Sequence, residues 1–344
     1  MNLITVHRKF ERHWPLVADH LYQQWSAQGE TNILRVKEED ERPLSEIAGE
    51  MQLGLSEVKR LICLGVPLKA GCVEQLVSLQ ETALPGSYRS PLLEDAVRDQ
   101  LVARKIPIYS HSSEGFWGQS VSEFALGLTI CALRRIPQNY HEMLTSHEAW
   151  SRYSPARNQG PGTLGAQFSD NSDFTNGTIC GKRVRVVGMG NIGSRYANIV
   201  KVMGADVAAY DPFAAEPHFH RTGVRKEWRL EELVKDAEIF APMLPLSDAT
   251  RGLVTAECIE ALPKGCLVVL ATRAKICDVD TIRRRVLADE LSLAADVFDV
   301  EPVPLDDPLL GRHNVVHTPH LAGRTKDANH QWADDLLVQF EPVR

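Results

Sequence analysis

Three glycines set the first chemical expectation. The run Val184-Arg-Val-Val-Gly188-Met-Gly190-Asn-Ile-Gly193 places G-x-G-x-x-G directly after an apolar, strand-like stretch and at the start of a helical pattern. In such a turn the first glycine permits the sharp bend, the second lets backbone approach a pyrophosphate, and the third lets helix and strand pack closely. The helix N-terminus beyond it offers free N–H groups and a positive dipole end to phosphate. Taken alone, the motif also fits a glycine-rich turn in any α/β protein. Its context is more telling. A second strand-like run, 206–210, leads into Asp211, about twenty residues on, where a carboxylate accepts ribose hydroxyls and repels a 2′-phosphate. Neither Tyr210 nor Pro212 supplies the cation that NADP needs, so the expected cofactor is NAD.

Three later segments suggest a reaction. Leu267-Val-Val-Leu-Ala-Thr272-Arg273 puts an arginine at the end of a predicted parallel strand, where the ligand crevice of an open α/β sheet lies. Arginine grips a carboxylate by two parallel hydrogen bonds, although taken alone a surface ion pair is its commoner use. Ala295-Asp296-Val-Phe-Asp-Val-Glu301-Pro302 ends the next strand in acidic residues. Val316-His317-Thr318-Pro319-His320-Leu-Ala-Gly323 then places a histidine after the strand that follows. A lone histidine is usually structural. A histidine and a carboxylate at neighbouring strand ends, beside a dinucleotide crevice and an arginine, can form a general acid/base pair.

The elements that must position these residues are legible in the alternation of the chain. From Lys182 onward, strand-like runs at 183–187, 206–210, 238–242, 266–270, 292–296 and 314–318 alternate with helical patterns at 194–203, 230–235, 256–261 and 278–288. That rhythm predicts a doubly wound parallel sheet with helices on both faces. Before residue 113 the pattern is mixed, with strand-like runs at 61–66 and 106–109 and helical spacing over 91–105, as in a smaller α/β domain. Ser120 and Glu123 fit a capping box ahead of a helix over 124–136, which is apolar almost all round and so expected in a core or subunit interface. The polar, aperiodic stretch 151–178 is expected to be a long loop, either functional or a surface insertion.

Composition narrows the class. The chain has 344 residues, too many for one ordinary core, and its 44% hydrophobic and 24% charged residues fit a globular, water-facing protein of two domains. A net charge of −7 argues against a nucleic-acid partner, which would need a basic face. No apolar stretch reaches the ~20 residues that span a bilayer, and the charged start lacks the features of a secretory signal. Seven scattered cysteines without a C-x-x-C pair favour free thiols over disulfides or a metal site, and with them a cytoplasmic location.

Read together, the motifs resemble the D-isomer-specific 2-hydroxyacid dehydrogenase family. The resemblance runs from about Gly118 to Thr325 and is carried in order by Ser-Val-Ser-Glu-Phe-Ala, Gly-Met-Gly-Asn-Ile-Gly, Tyr-Asp-Pro, Pro-Leu-Ser-Asp-Ala-Thr-Arg-Gly-Leu-Val, Asp-Val-Phe-Asp-Val-Glu-Pro and Thr-Pro-His-Leu-Ala-Gly. It implies two Rossmann-like domains: an NAD-binding domain over 114–323, and a smaller, flavodoxin-like substrate domain made of 1–113 and 324–344. It implies an oxidoreductase acting on a small anionic 2-hydroxy or 2-oxo acid. Arg273 would bind and polarise the 2-oxo acid, and His320 would exchange the proton. Glu301 would hydrogen-bond the imidazole, orient it and stabilise its positive charge. Gly188, Gly190, Asn191, Ile192, Gly193 and Asp211 would hold the dinucleotide, with Thr250 a further cofactor candidate and Asp296 near the nicotinamide carboxamide. The apolar helix would make a homodimer contact.

The departures fall around the substrate. Where the family usually has Asn-x-x-Arg-Gly, this chain reads Leu270-Ala-Thr-Arg273-Ala274, and Met243 stands in place of a common histidine. The glycine-rich substrate loop is matched only loosely by Leu84-Pro-Gly86-Ser-Tyr-Arg89, in which Arg89 could grip a second anionic group. Phe116 and Trp117 fit either a pocket wall or a core. Arg89 and the insertion 151–178 point to a bulkier or doubly charged 2-oxo acid, while an ordinary pyruvate or glyoxylate enzyme stays open. Two other readings stay open: an NAD-responsive corepressor-like adaptor, and a phosphite-oxidising relative.

Overall fold

The computed structural model describes residues 1–85, 94–111, 115–151, 168 and 170–341. The chain divides into two compact units, Met1–Phe116 with Arg324–Arg344, and Trp117–Gly323. Among the described residues no helix is long and apolar enough to cross a membrane, and no group of three or more His, Cys, Asp or Glu is placed to hold a metal ion.

The first unit is built on β1 (Asn2–His7), β2 (Thr31–Val36), β3 (Arg60–Leu64), β4 (Glu81–Ala83) and β5 (Ile108–Tyr109). All pair in parallel, in the order β2-β1-β3-β4-β5, which is the flavodoxin-like winding. The two central strands, β1 and β3, are buried throughout, as a sheet covered on both faces requires. Helix Val17–Ser26 covers the sheet with Val17, Ala18, Leu21 and Trp25, spaced three and four apart. Helix Lys326–Leu337 returns the chain to this unit. Its N-cap Thr325 accepts the Ala328 N–H, and Trp332, Ala333 and Leu336 are buried.

The second unit holds β6 (Arg183–Val187), β7 (Asp206–Tyr210), β8 (Arg225–Lys226), β9 (Ile239–Pro242), β10 (Leu267–Leu270), β11 (Ser292–Ala295) and β12 (Val315–His317). The order is β12-β11-β10-β9-β6-β7-β8, again wholly parallel. The chain runs outward from β6 to β8, then crosses back to β9 and winds the other way. The sheet therefore switches direction between β6 and β9, and a crevice opens outside the strand C-termini there. Alternate side chains fill the two faces: Val184, Val186, Val207 and Ile239 on one, Val187, Ala208, Phe240 and Val268 on the other. Arg185 interrupts this apolar pattern while 1% exposed. It is held by a two-pronged bond to Asp236 at 2.8 and 2.7 Å and by Asp206 at 2.9 Å, so the buried guanidinium is paired.

Two expectations need correction. The apolar helix starts at Gly118, six residues before its apolar run, and ends at Arg134, two residues before the run does. Its N-cap is Trp117, at the end of a preceding 3-10 turn, and the cap makes no side-chain hydrogen bond. Ser120 thus lies inside the first turn, where its hydroxyl donates to the Trp117 and Gly323 carbonyls rather than capping. Glu123 accepts from Gln119. Secondly, the helix is not buried all round within this chain. Val121, Ala125, Leu128, Thr129 and Leu133 face the core, while Phe124, Leu126 and Ile130 are only partly covered. Most of the polar stretch 151–178 lies outside the described residues. Its last part, 170–178, is a series of turns that buries Phe174 and bonds to Gly265 through the Thr175 N–H. Strand β8 and helix Glu216–Thr222 were not expected from the pattern.

Candidate active site

The glycine turn sits at the switch point. Gly188 follows β6 with φ +97°, and a Cβ there would lie 2.6 Å from Leu244 Cδ2 and 2.9 Å from the Met243 carbonyl, just past β9. A Cβ on Gly193 would lie 2.0 Å from the Gly188 carbonyl oxygen, which fixes how closely the helix packs on the turn. Gly190 differs from both. A Cβ there meets nothing within 4 Å, so this glycine faces open space beside the helix start. Helix Asn191–Val202 opens with Asn191 and Ile192, whose N–H groups precede the first intrahelical bonds. The helix is anchored behind the turn by Tyr196, whose hydroxyl lies 2.9 Å from Thr129 Oγ1. Burial pushes that phenol up to about 12, so it remains a neutral hydrogen-bonding group.

Asp211, one residue beyond β7, closes the far side. Its Oδ2 accepts the Met189 N–H at 2.7 Å, and Oδ1 accepts from Phe213 and Ala214 at 2.9 Å each. The carboxylate thus ties the glycine turn to the end of β7. With about four acceptor sites on an ionised carboxylate, one is left for a ligand hydroxyl. A pyrophosphate cradle without Cβ atoms, orphan N–H groups and an acidic strand end fit a dinucleotide with free ribose hydroxyls. Thr250 is less available. Its hydroxyl donates to the Pro245 carbonyl at 2.6 Å and accepts the Ser247 N–H at 2.8 Å, which shapes the loop after β9.

Farther along the same sheet edge stand the reactive side chains. Arg273 follows β10 and is half-buried. Among the described residues its guanidinium forms no ion pair, and its one side-chain hydrogen bond, 2.6 Å, goes to the Thr272 carbonyl. Thr272 is buried and donates in turn to the Pro242 carbonyl at 3.2 Å. The bland reading of Arg273 as a surface ion pair therefore finds no partner here. Among the described residues its charge is therefore left for a ligand.

Glu301 and His320 come together across 19 residues. His320 Nδ1 donates to Glu301 Oε2 at 2.7 Å, while Glu301 Oε1 accepts the Phe298 N–H at 2.8 Å. The side chains are 42% and 35% exposed, so the pair is open to an incoming molecule. Because Nδ1 faces the carboxylate, Nε2 is the nitrogen left to give or take a proton. His320 has φ +55°, a left-handed conformation that costs a side-chain-bearing residue roughly 1–2 kcal/mol unless its surroundings enforce it. The enforcing group is Asp296, wholly buried after β11. Its Oδ1 accepts from Thr318 Oγ1 at 2.6 Å and the Leu321 N–H at 2.9 Å, and its Oδ2 accepts the Ala322 N–H at 2.9 Å. The carboxylate expected near the nicotinamide thus gives three of its about four acceptor sites to the histidine's own turn. Thr318 was not singled out in the sequence. Its place inside Thr-Pro-His was the signal that could have found it.

Arg89 lies outside the described residues. Phe116 is buried against Trp14 and His111, which supports its core reading, and Trp117 packs against the core of the second unit.

Comparison with known proteins agrees with this geometry. The family model for the NAD-binding domain of the D-isomer specific 2-hydroxyacid dehydrogenases matches residues 126–322, more than half of the chain. The chain belongs to this family. A D-3-phosphoglycerate dehydrogenase of Archaeoglobus fulgidus is 30% identical over 210 residues, 61% of this chain and 36% of its own. One from Haemophilus influenzae is 27% identical over 243 residues, 69% of this chain and 53% of its own. The matches therefore span between about a third and a half of those relatives. Among solved structures, D-2-hydroxyisocaproate dehydrogenase superposes with a TM-score of 0.68 at 18% identity, covering 98% of this chain and 95% of that one. A phosphoglycerate oxidoreductase from Rhizobium etli gives 0.67 at 18% identity, with 98% and 97% covered. The match of fold thus extends over both units, beyond the family's NAD-binding domain.

Proposed function

We propose that this family member is an NAD-dependent oxidoreductase that interconverts a 2-oxo acid and its D-2-hydroxy acid. The observation that carries the reading is the 2.7 Å Glu301–His320 pair on the sheet edge that also bears the glycine turn and Arg273, which has no ion pair among the described residues. In a parallel sheet the ends of β6, β10, β11 and β12 share one edge, so these groups converge on one crevice. Gly190, Asn191 and Ile192 would hold the pyrophosphate, Gly188 and Gly193 would shape the turn, and Asp211 would hold the ribose. NADH, when bound, supplies the hydride. Arg273 grips the substrate carboxylate and polarises the carbonyl that receives it. His320 delivers a proton from Nε2 to the forming alkoxide and takes it back in the oxidative direction. Glu301 keeps the ring in register and stabilises the imidazolium.

We assign substrate recognition to the first unit, with Arg89 the candidate for a second anionic group by its place in the sequence. Cytoplasmic location is supported by the seven free cysteines, five of them buried. A homodimer is supported by the outward face of helix Gly118–Arg134 together with exposed Ile136, Tyr140, Met143 and Leu144 on and beside helix Ile136–Met143. Sedimentation equilibrium of Tyr140→Glu against wild type tests that contact. Activity is tested by following NADH consumption with glyoxylate, pyruvate, hydroxypyruvate, 2-oxoglutarate, oxaloacetate and phosphonopyruvate. Turnover that Arg273→Lys slows by raising KM is the expected result. Bound NADH without turnover on any of them would remove the dehydrogenase reading.

A further inference from the structure

We propose that Asp296 is a positioning residue for the proton-transfer histidine. Its buried carboxylate, with Thr318 as its side-chain partner, folds residues 318–322 into the turn that presents His320. The inference rests on the reading of His320 as the acid/base group.

β11 and β12 are adjacent and in register, with Ala295 opposite His317. The pairing continues one step further, since the Asp296 N–H donates to Leu270 and the Thr318 N–H donates to Ala295. Beyond that point the chain after β12 no longer follows the sheet. It wraps around the Asp296 carboxylate, which receives one hydroxyl and two successive backbone N–H groups. A wholly buried carboxylate is tolerated only when its acceptor sites are filled, and these three donors come from the five residues centred on His320. The turn is tightened by the His320 N–H, 3.1 Å from the Thr318 carbonyl. Within this ring of bonds His320 is the residue left in the left-handed region, with its side chain turned outward to Glu301. Two acidic residues thus divide the work. Glu301 holds the ring from outside, and Asp296 holds the backbone from inside.

Asp296 has no exposed surface. Three of its about four acceptor sites are filled by residues 318–322.

The test uses the full-length chain with Asp296→Asn, Thr318→Val, Thr318→Ser and His320→Ala. Thr318→Val removes the 2.6 Å bond and keeps side-chain shape, and it serves even if Asp296→Asn does not fold. The expected result for Thr318→Val is a kcat lower by roughly tenfold, the usual range for losing a group that orients a reactive side chain. The dissociation constant of NADH, read by fluorescence, should stay within about twofold, because the glycine turn and Asp211 are untouched. Thr318→Ser keeps the hydroxyl and should recover most of the rate. Nitrogen-15 spectra of the histidine rings give a readout that needs no substrate. Wild type and Thr318→Ser should show His320 held as the Nδ1–H tautomer, and Thr318→Val should show tautomer averaging.

An unchanged kcat and tautomer in Thr318→Val would overturn the proposal. So would a serine variant as slow as the valine variant, or a loss of NADH affinity that accounts for the whole effect. If His320→Ala turned over as fast as wild type, the acid/base reading itself would fall. If His320→Ala were inactive while Thr318→Val behaved as wild type, the positioning role alone would fall.

Discussion

The glycine turn makes a prediction that separates fold from binding. Gly190 has an extended backbone (φ −75°, ψ −160°) that alanine adopts freely, and its Cβ would meet nothing within 4 Å. Gly190→Ala should therefore fold. The loss of a glycine N-cap and the gain in unfolded-state entropy are each worth about 1 kcal/mol or less and oppose one another. Binding is a different matter, because the empty space beside Gly190 is where a pyrophosphate would lie against Asn191 and Ile192. A methyl group there pushes the phosphate off those N–H groups. Losing two charge-assisted hydrogen bonds at about 1.5 kcal/mol each amounts to roughly 3 kcal/mol, or about a hundredfold in Kd. Gly193→Ala is the contrasting variant. Its Cβ would stand 2.0 Å from a carbonyl oxygen, so the helix must move by more than an ångström and stability falls by several kcal/mol. Thermal unfolding and NADH fluorescence titration of both variants check this. Gly190→Ala that binds NADH as wild type does would refute the placement of the pyrophosphate. Gly190→Ala that unfolds would refute the claim of open space.

Other perturbations follow from the same geometry. Asp211→Ala should lower the kcat/KM preference for NADH over NADPH by at least about tenfold, since the 2′-phosphate no longer meets a carboxylate. An unchanged ratio would mean that another group sets it. His320→Ala should cut kcat by about 10²–10⁴-fold while leaving NADH affinity intact, the range for a lost general acid. Stability should fall with acidification. Burial against Phe116 and Trp332 lowers the His111 pKa below its ordinary 6.5, so the unfolded chain binds that proton more readily. His111 thus costs no stability above about pH 6.5, and stability is lost as pH falls through that value and below it. His111→Gln keeps a donor for the Trp332 carbonyl at 2.7 Å and should flatten the dependence of urea midpoints between pH 8 and pH 5. Parallel curves for the two proteins would count against it.

Much of the second unit was legible because its strands are short, apolar and bounded by glycine or aspartate. Strands β6 and β7 fall where the pattern placed them, at 183–187 and 206–210. The glycine turn and its acidic partner were legible for a chemical reason, since each glycine answers a distinct steric demand. Other features depend on neighbours that sequence spacing hides. The helix start at Gly118 is set by a 3-10 turn, so a capping pattern at Ser120 and Glu123 misled. Strand β8 is two residues on a sheet edge, too short for any periodicity. Arg185 looks out of place in an apolar strand until Asp206 and Asp236 arrive from elsewhere. The engagement of Asp296 with the His320 turn likewise exists only once β11 and β12 lie side by side.

The central claim is hydride transfer between NADH and the C2 carbon of a 2-oxo acid at this crevice. Its most direct test is to incubate the enzyme with NADH deuterated at C4 and an active 2-oxo acid, then locate the label in the product by mass spectrometry and NMR. The expected result is one deuterium at C2 of a D-2-hydroxy acid in wild type, formed about 10²–10⁴-fold more slowly in His320→Ala. Product without the label at C2, or label transferred equally well without His320, would contradict it.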